Sequence, residues 1–170
     1  MLKIIDDLRL FFDDNYRRIH VREYARIRKI SAPTASKLLE GYHKEGLLGK
    51  TADKQYIYYF ANKESALFVD ISRIYWRAVI EKSGLAGMMS EKFIMPVIIL
   101  FGSLAKAEVT KDSDIDVAIF TPTKKEPDLK EFETKLGRRI QLFTFLSRAD
   151  VKNEELLNNI LSGYKILGAW

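Results

Sequence analysis

Two aspartates, Asp114 and Asp116, sit one residue apart in the string FGSLAKAEVTKDSDIDVAIF, residues 101–120. Carboxylates this close repel each other. A hard divalent cation such as Mg²⁺ removes the repulsion, because it binds through oxygen and takes one or two carboxylates at a time. Gly102 and Ser103 come eleven residues ahead of the pair, counted from Ser103 to Asp114. A turn with solvated aspartates explains Asp112 well, but explains the whole spaced string poorly.

The elements that would position these groups are short. Residues 96–101 (PVIILF) read as a buried strand ending at Gly102–Ser103, residues 104–109 as a helical turn, 110–113 as a loop and 115–120 as a second strand. Strand, Gly-Ser, helix, Ser-Asp-x-Asp, strand resembles the core of the polymerase-β-like nucleotidyltransferases. The string from Gly102 to Asp116 is similar to the motif Gly-Ser-x-Ala-Arg-Gly-x5-Ser-Asp-x-Asp of the minimal members, without a gap. The resemblance covers residues 90–170. It implies a small mixed α/β sheet on which Gly102, Ser103, Lys106 and Ser113 bind a nucleoside triphosphate, while Asp114 and Asp116 hold Mg²⁺. Gly102 would let the backbone approach a phosphate, and Ser103 would offer an amide and a hydroxyl.

Two departures from the family pattern stand out. Ala-Arg-Gly is replaced by Ala105-Lys106-Ala107, which keeps the charge but loses the guanidinium fork and the glycine's freedom. Downstream, where the family has Gly-Arg-Arg-Val-Asp-Leu, this chain has Gly137-Arg138-Arg139-Ile140-Gln141-Leu142. Gln141 therefore takes the place of the third carboxylate, a degenerate catalytic position: an amide can coordinate through its oxygen but is not a base. Glu131, Glu133 and Asp150 are the candidates to replace it. The closing segment, residues 154–170, resembles the final packing helix of the minimal enzymes.

The first sixty residues have a different character. Residues 1–62 hold 12 Lys+Arg against 8 Asp+Glu, or +4, whereas residues 63–170 hold 16 against 15, or +1. Apolar residues at Leu2, Ile5, Leu8, Phe11 and Phe12 predict a first helix, and residues 21–29 a second. In SAPTASKLLEGYHKEGLL, Ser31 offers an N-cap, Pro33 suits a first turn and Gly46 suits a C-terminal stop. A strand, a polar turn at residues 52–54 and a strand at 55–60 follow. This order resembles a winged helix-turn-helix, which implies DNA binding and transcription regulation. The implied contacts are Arg22, Arg26 and Arg28 on the second helix, Ala32, Thr34, Ser36 and Lys37 at the start of the third, and Lys50 and Lys54 on the wing. Protein binding or dimerisation is the alternative use of such a domain.

Residues 61–83 read as a long helix with a wide apolar face built from Leu67, Phe68, Ile71, Ile74, Tyr75, Ala78 and Val79. That face must be covered by the flanking domains or by a second copy; a homodimer would suit two-fold DNA sites. With no cysteine, disulfides, thiolate zinc sites and cysteine nucleophiles are excluded. The two histidines, His20 and His43, are expected at solvated helix positions. The amphipathic start is unlike a secretory signal, and the apolar run at residues 93–101 is too short to span a bilayer, so a cytoplasmic protein with no membrane partner is expected.

The sequence thus predicts an α+β chain in three parts: a winged helix-turn-helix at 1–62, a connecting helix at 63–89 and a nucleotidyltransferase-like domain at 90–170. The expected function is a DNA-binding regulator whose second domain binds Mg²⁺ and NTP, with transfer of NMP to an acceptor hydroxyl weakened or lost through Gln141. The alternatives are an active minimal nucleotidyltransferase that modifies a toxin partner as its antitoxin, and a dimeric scaffold that mainly contacts protein.

Overall fold

A computed structural model describes residues 3–123 and 125–170. Met1 and Leu2, where the sequence starts the first helix, lie outside the described residues. The fold is α+β and separates into two compact units. One gathers Met1–Ser72 with Ala107–Lys111, the other Arg73–Lys106 with Asp112–Trp170.

In the first unit the order is α1 (Lys3–Asp13), β1 (Ile19–His20), α2 (Val21–Arg28), α3 (Ala32–Lys44), β2 (Leu48–Asp53) and β3 (Tyr56–Ala61). The strands form an antiparallel sheet in the order β1-β3-β2. Local chemistry sets the helix ends. The Ser31 hydroxyl accepts from the Thr34 amide at 3.3 Å, and Gly46 adopts φ 74° beyond the last turn of α3. The hairpin turn is Lys54–Gln55 rather than residues 52–54, because the β2–β3 ladder continues to Asp53 opposite Tyr56 and Lys54 takes the left-handed conformation, φ 53°.

A buried carboxylate ties the three helices together. Asp7 on α1 is 4% exposed; it accepts from Arg28 of α2 at 3.0 Å and from the Tyr42 hydroxyl of α3 at 2.9 Å. The Tyr24 hydroxyl donates to the Asp7 backbone carbonyl at 2.9 Å. Arg28, expected at the DNA face, thus has an internal ion-pair partner. The histidines need correction too. His20 ends β1 and caps α2, its ring nitrogen accepting from the Glu23 amide at 3.3 Å, and half-buried His43 pairs with the Leu48 carbonyl at 2.9 Å.

α4 (Ala66–Ser83) begins five residues later than the sequence suggests, since β3 runs on to Ala61, and the division between the units falls within it. Phe68, Tyr75, Trp76 and Ile80 are buried, while Leu67 and Ile74 stay exposed. The second unit continues with α5 (Leu85–Lys92), β4 (Val97–Phe101), α6 (Ser103–Lys106), β5 (Ile115–Phe120), α7 (Lys130–Leu136), β6 (Ile140–Phe145), a 3₁₀ turn (Arg148–Asp150), α8 (Glu154–Leu161) and β7 (Tyr164–Leu167). Its sheet order is β6-β5-β4-β7, with β5 and β6 parallel and the other pairs antiparallel. The closing segment is thus a helix followed by an edge strand, and the helical turn expected at 104–109 ends at Lys106. One sheet face, with Val97, Ile99, Phe101, Ala118 and Phe120, packs with Val151 and Ile160. No helix among the described residues is long and apolar enough to cross a membrane.

Removing the Asp7 carboxylate leaves Arg28 and Tyr42 without their shared partner. Asp7→Ala should lower stability by about 3 kcal/mol, measured by denaturant unfolding. Burial first, and the Asp7 charge second, push the Tyr24 hydroxyl from an ordinary 10.0 up to about 12. Burial and its bond to Asp7 push Tyr42 further in the same direction. Burial and the bond to Glu40 push Tyr59 up to about 12. A raised value favours the neutral form in the fold. This stability is complete below pH 10 and is lost as pH climbs from 10.0 towards 12. Circular dichroism followed alongside tyrosinate absorbance should show the first unit unfolding in that window.

Candidate active site

The site is built at one end of the second unit's sheet. β4 delivers Phe101 opposite Asp116 of β5, and the parallel pairing of β5 with β6 sets Asp116 beside Gln141. Alternation puts Asp116, Ala118 and Phe120 on one face, with Gln141, Phe143 and Phe145 next to them. That face is apolar at its Phe120 and Phe145 end and polar at its Asp116 and Gln141 end. Asp114 lies just before β5, half-buried, and its carboxylate accepts from the Gln141 side-chain amide.

Gly102 is required by contact as well as by conformation. Its φ is 68°, and a Cβ built there would run into the Asp116 carboxylate. The chain leaves β4 through this glycine straight into α6, whose first residue is half-buried Ser103. The structure therefore brings together Gly102, Asp114, Asp116 and Gln141. Burial chiefly, and the Asp114 charge second, raise the Asp116 carboxyl above its ordinary value.

Arg138 is a positioning residue that the sequence reading did not single out. Its guanidinium donates to the Ser113 carbonyl at 2.7 Å and lies 5.1 Å from the centroid of the buried Trp76 ring. It holds the loop that presents Asp114, while the Ile115 amide donates to the Arg139 carbonyl at 2.8 Å to open the parallel ladder. The available signal was the Gly-Arg-Arg string itself, two residues before the strand. Ser113 thus contributes its carbonyl to the loop's own structure. Lys106 is exposed and opens on a cavity of about 280 Å³ lined by Glu155, Asn158, Asn159 and Ser162.

The three acids considered as replacements for the missing carboxylate have other partners. Glu131 pairs with Lys135 at 2.6 Å, Glu133 accepts from the Ile140 amide at 2.9 Å, and Asp150 caps Ser147 at 2.8 Å. No group of three or more His, Cys, Asp or Glu among the described residues could hold a metal. The donor set is two carboxylates and one amide. It suits a single hard divalent cation whose other positions are filled by water or phosphate oxygens. Ala107 adopts the left-handed conformation, with φ 55° and full burial, a backbone strained for any residue with a Cβ.

Residues 86–168 match the family model Polymerase beta, Nucleotidyltransferase. The match takes in β4 to β7 and supports a nucleotidyltransferase domain. No curated protein and no solved structure matches the chain.

Within the nucleotidyltransferase domain, Gly102→Ala forces a Cβ against Asp116 in a left-handed turn. It should cost about 1–2 kcal/mol from conformation alone, read by thermal unfolding, and should weaken binding of Mn²⁺, a paramagnetic probe, in a spin-resonance titration. Ala107→Gly relieves the same type of strain and should raise stability by up to about 1 kcal/mol.

Proposed function

We propose that this protein is a DNA-binding regulator whose nucleotidyltransferase domain binds Mg²⁺-NTP and transfers NMP slowly or not at all. The placement of Gly102 just past β4 against Asp116 of β5, with Gln141 of β6 beside it, carries the reading. Asp114 and Asp116 would hold Mg²⁺, and the ion when bound would neutralise charge on the triphosphate and on the leaving pyrophosphate. Gly102 leaves room for the Asp116 carboxylate, and Ser103 would present its amide and hydroxyl to a phosphate at the start of α6. Gln141 donates to Asp114 and has no carboxylate to take the proton of an attacking hydroxyl. Nucleotide binding needs only the pair; rapid transfer needs the missing base.

The DNA-binding half of the proposal draws support from element order and exposure. β1 lies between α1 and α2, and the hairpin β2–β3 follows α3 to complete a sheet of order β1-β3-β2, the element order of a winged helix-turn-helix. Thr34, Ser36 and Lys37 are exposed near the start of α3, and Arg22, Arg26 and Lys54 are exposed around it. Lys50 contributes less, because it pairs with Glu40 at 2.8 Å.

Incubation with alpha-labelled NTP, Mg²⁺ and candidate acceptors tests the first half. Wild type should bind Mg²⁺-NTP in calorimetry, and Asp116→Ala should abolish the binding. Gln141→Asp should raise label transfer by about 10²–10⁴-fold. Failure of wild type to bind at millimolar concentration sinks the nucleotide role. For the second half, a salt-dependent gel shift with duplex DNA should weaken when Arg26, Lys37 and Lys54 are neutralised together. A shift that survives those changes rejects this docking face.

A further inference from the structure

The first unit carries a cleft that neither the aspartate site nor the α3 start uses. Tyr56 and Tyr58 alternate with buried Tyr59 on β3 and so project from the opposite face, and register sets His20 of β1 beside Tyr58. The His20 ring lies 5.6 Å from Tyr56 and 5.9 Å from Tyr58, and the two tyrosines are 6.5 Å apart. His20 is held in place by its cap bond to Glu23, whereas Tyr56 remains 42% exposed. An aromatic wall with one open ring is a surface on which a further flat group can stack.

Cations flank that wall. Arg22 and Arg26 are one turn apart on α2 and exposed, and neither has an ion pair among the described residues. The neighbouring acid, Glu23, is matched by Arg17 at 2.8 Å. Two adjoining cavities share His20 and Arg22. One, about 500 Å³, also reaches Gln55 and Tyr56; the other, about 370 Å³, reaches Arg26. Volumes of this order suit a small organic ligand. The lining specifies its chemistry: a ring system to stack on Tyr56, a hydrogen-bonding edge for the Gln55 amide, and an anionic group for the guanidinium forks.

We propose that this cleft binds one unstacked nucleotide, a nucleobase with its phosphate, free or as an unpaired position in a strand. Duplex DNA offers no unstacked base, so the site is distinct in kind from the groove contacts proposed for α3. It overlaps that reading only through Arg22 and Arg26.

The test is filter binding with the full chain carrying Asp116→Ala, which removes competition from the second domain. The probes are a labelled nucleoside monophosphate, a short single-stranded oligonucleotide and the same sequence as duplex. Tyr56→Ala should weaken binding about tenfold or more, while Tyr56→Phe stays within about twofold. Arg22→Gln should weaken binding and flatten its salt dependence. Thermal melts of each variant separate this from unfolding. Monophosphate binding that depends on Tyr56 identifies a free nucleotide as the ligand; binding of the single strand alone identifies an unpaired strand position. No binding at millimolar concentration, binding of duplex only, or binding unchanged in Tyr56→Ala overturns the proposal. Loss of single-strand binding with duplex binding intact leaves the α3 docking face standing.

Discussion

The candidate active site depends on how β5 is clamped between its neighbours. Register sets Asp116 between Phe101 on one side and Gln141 on the other, and a bare Cα at Gly102 leaves its carboxylate room. A slip of one residue in either ladder would turn Asp116 to the opposite face and bring a core residue into its place. The apolar packing around Ala118 and Phe120 opposes such a slip, because those side chains share a face with Asp116. Core burial and site geometry are therefore the same constraint. The Arg138 bond to the Ser113 carbonyl extends that order to the loop, which has no ladder of its own.

The clamp also gives Gln141 its meaning. On a distant strand a glutamine would be one more polar side chain. Beside Asp116 on the parallel strand, its amide donates to Asp114. The bond satisfies one carboxylate oxygen without any cation, which changes what the pair demands. The amide sets a donor, rather than a third negative charge, beside the two aspartates.

The first unit is organised by a buried carboxylate with the opposite task. Asp7 draws Arg28 and Tyr42 from two other helices, so a small three-helix packing gains a fixed arrangement at the cost of burying charge. The cations Arg22, Arg26, Lys37 and Lys54, by contrast, are exposed at the surface of the unit. The basic excess seen in composition is thus distributed unevenly: Arg28 and Lys50 have internal acid partners, and the exposed cations carry what remains.

Much of this was legible along the chain because it is encoded locally. Ser31, Pro33 and Gly46 mark the bounds of α3 through side-chain capping and backbone preference, which need no distant partner. The spacing from Gly102 to Asp116 identifies the strand, turn and strand for the same reason. The edge strand β7 was hidden in a segment that reads as helix, since a short strand is stabilised by its neighbour β4 rather than by its own periodicity. The sequence by itself determined the spacing of the motif, the glutamine at position 141 and the different charge of the first sixty residues. Only the tertiary structure decided that Gln141 faces Asp116 and bonds Asp114, that Glu131, Glu133 and Asp150 are engaged elsewhere, and that His20 joins Tyr56 in a cleft. Each of these depends on which remote groups compete for one hydrogen bond or one face of a sheet, and that competition is settled by register and burial.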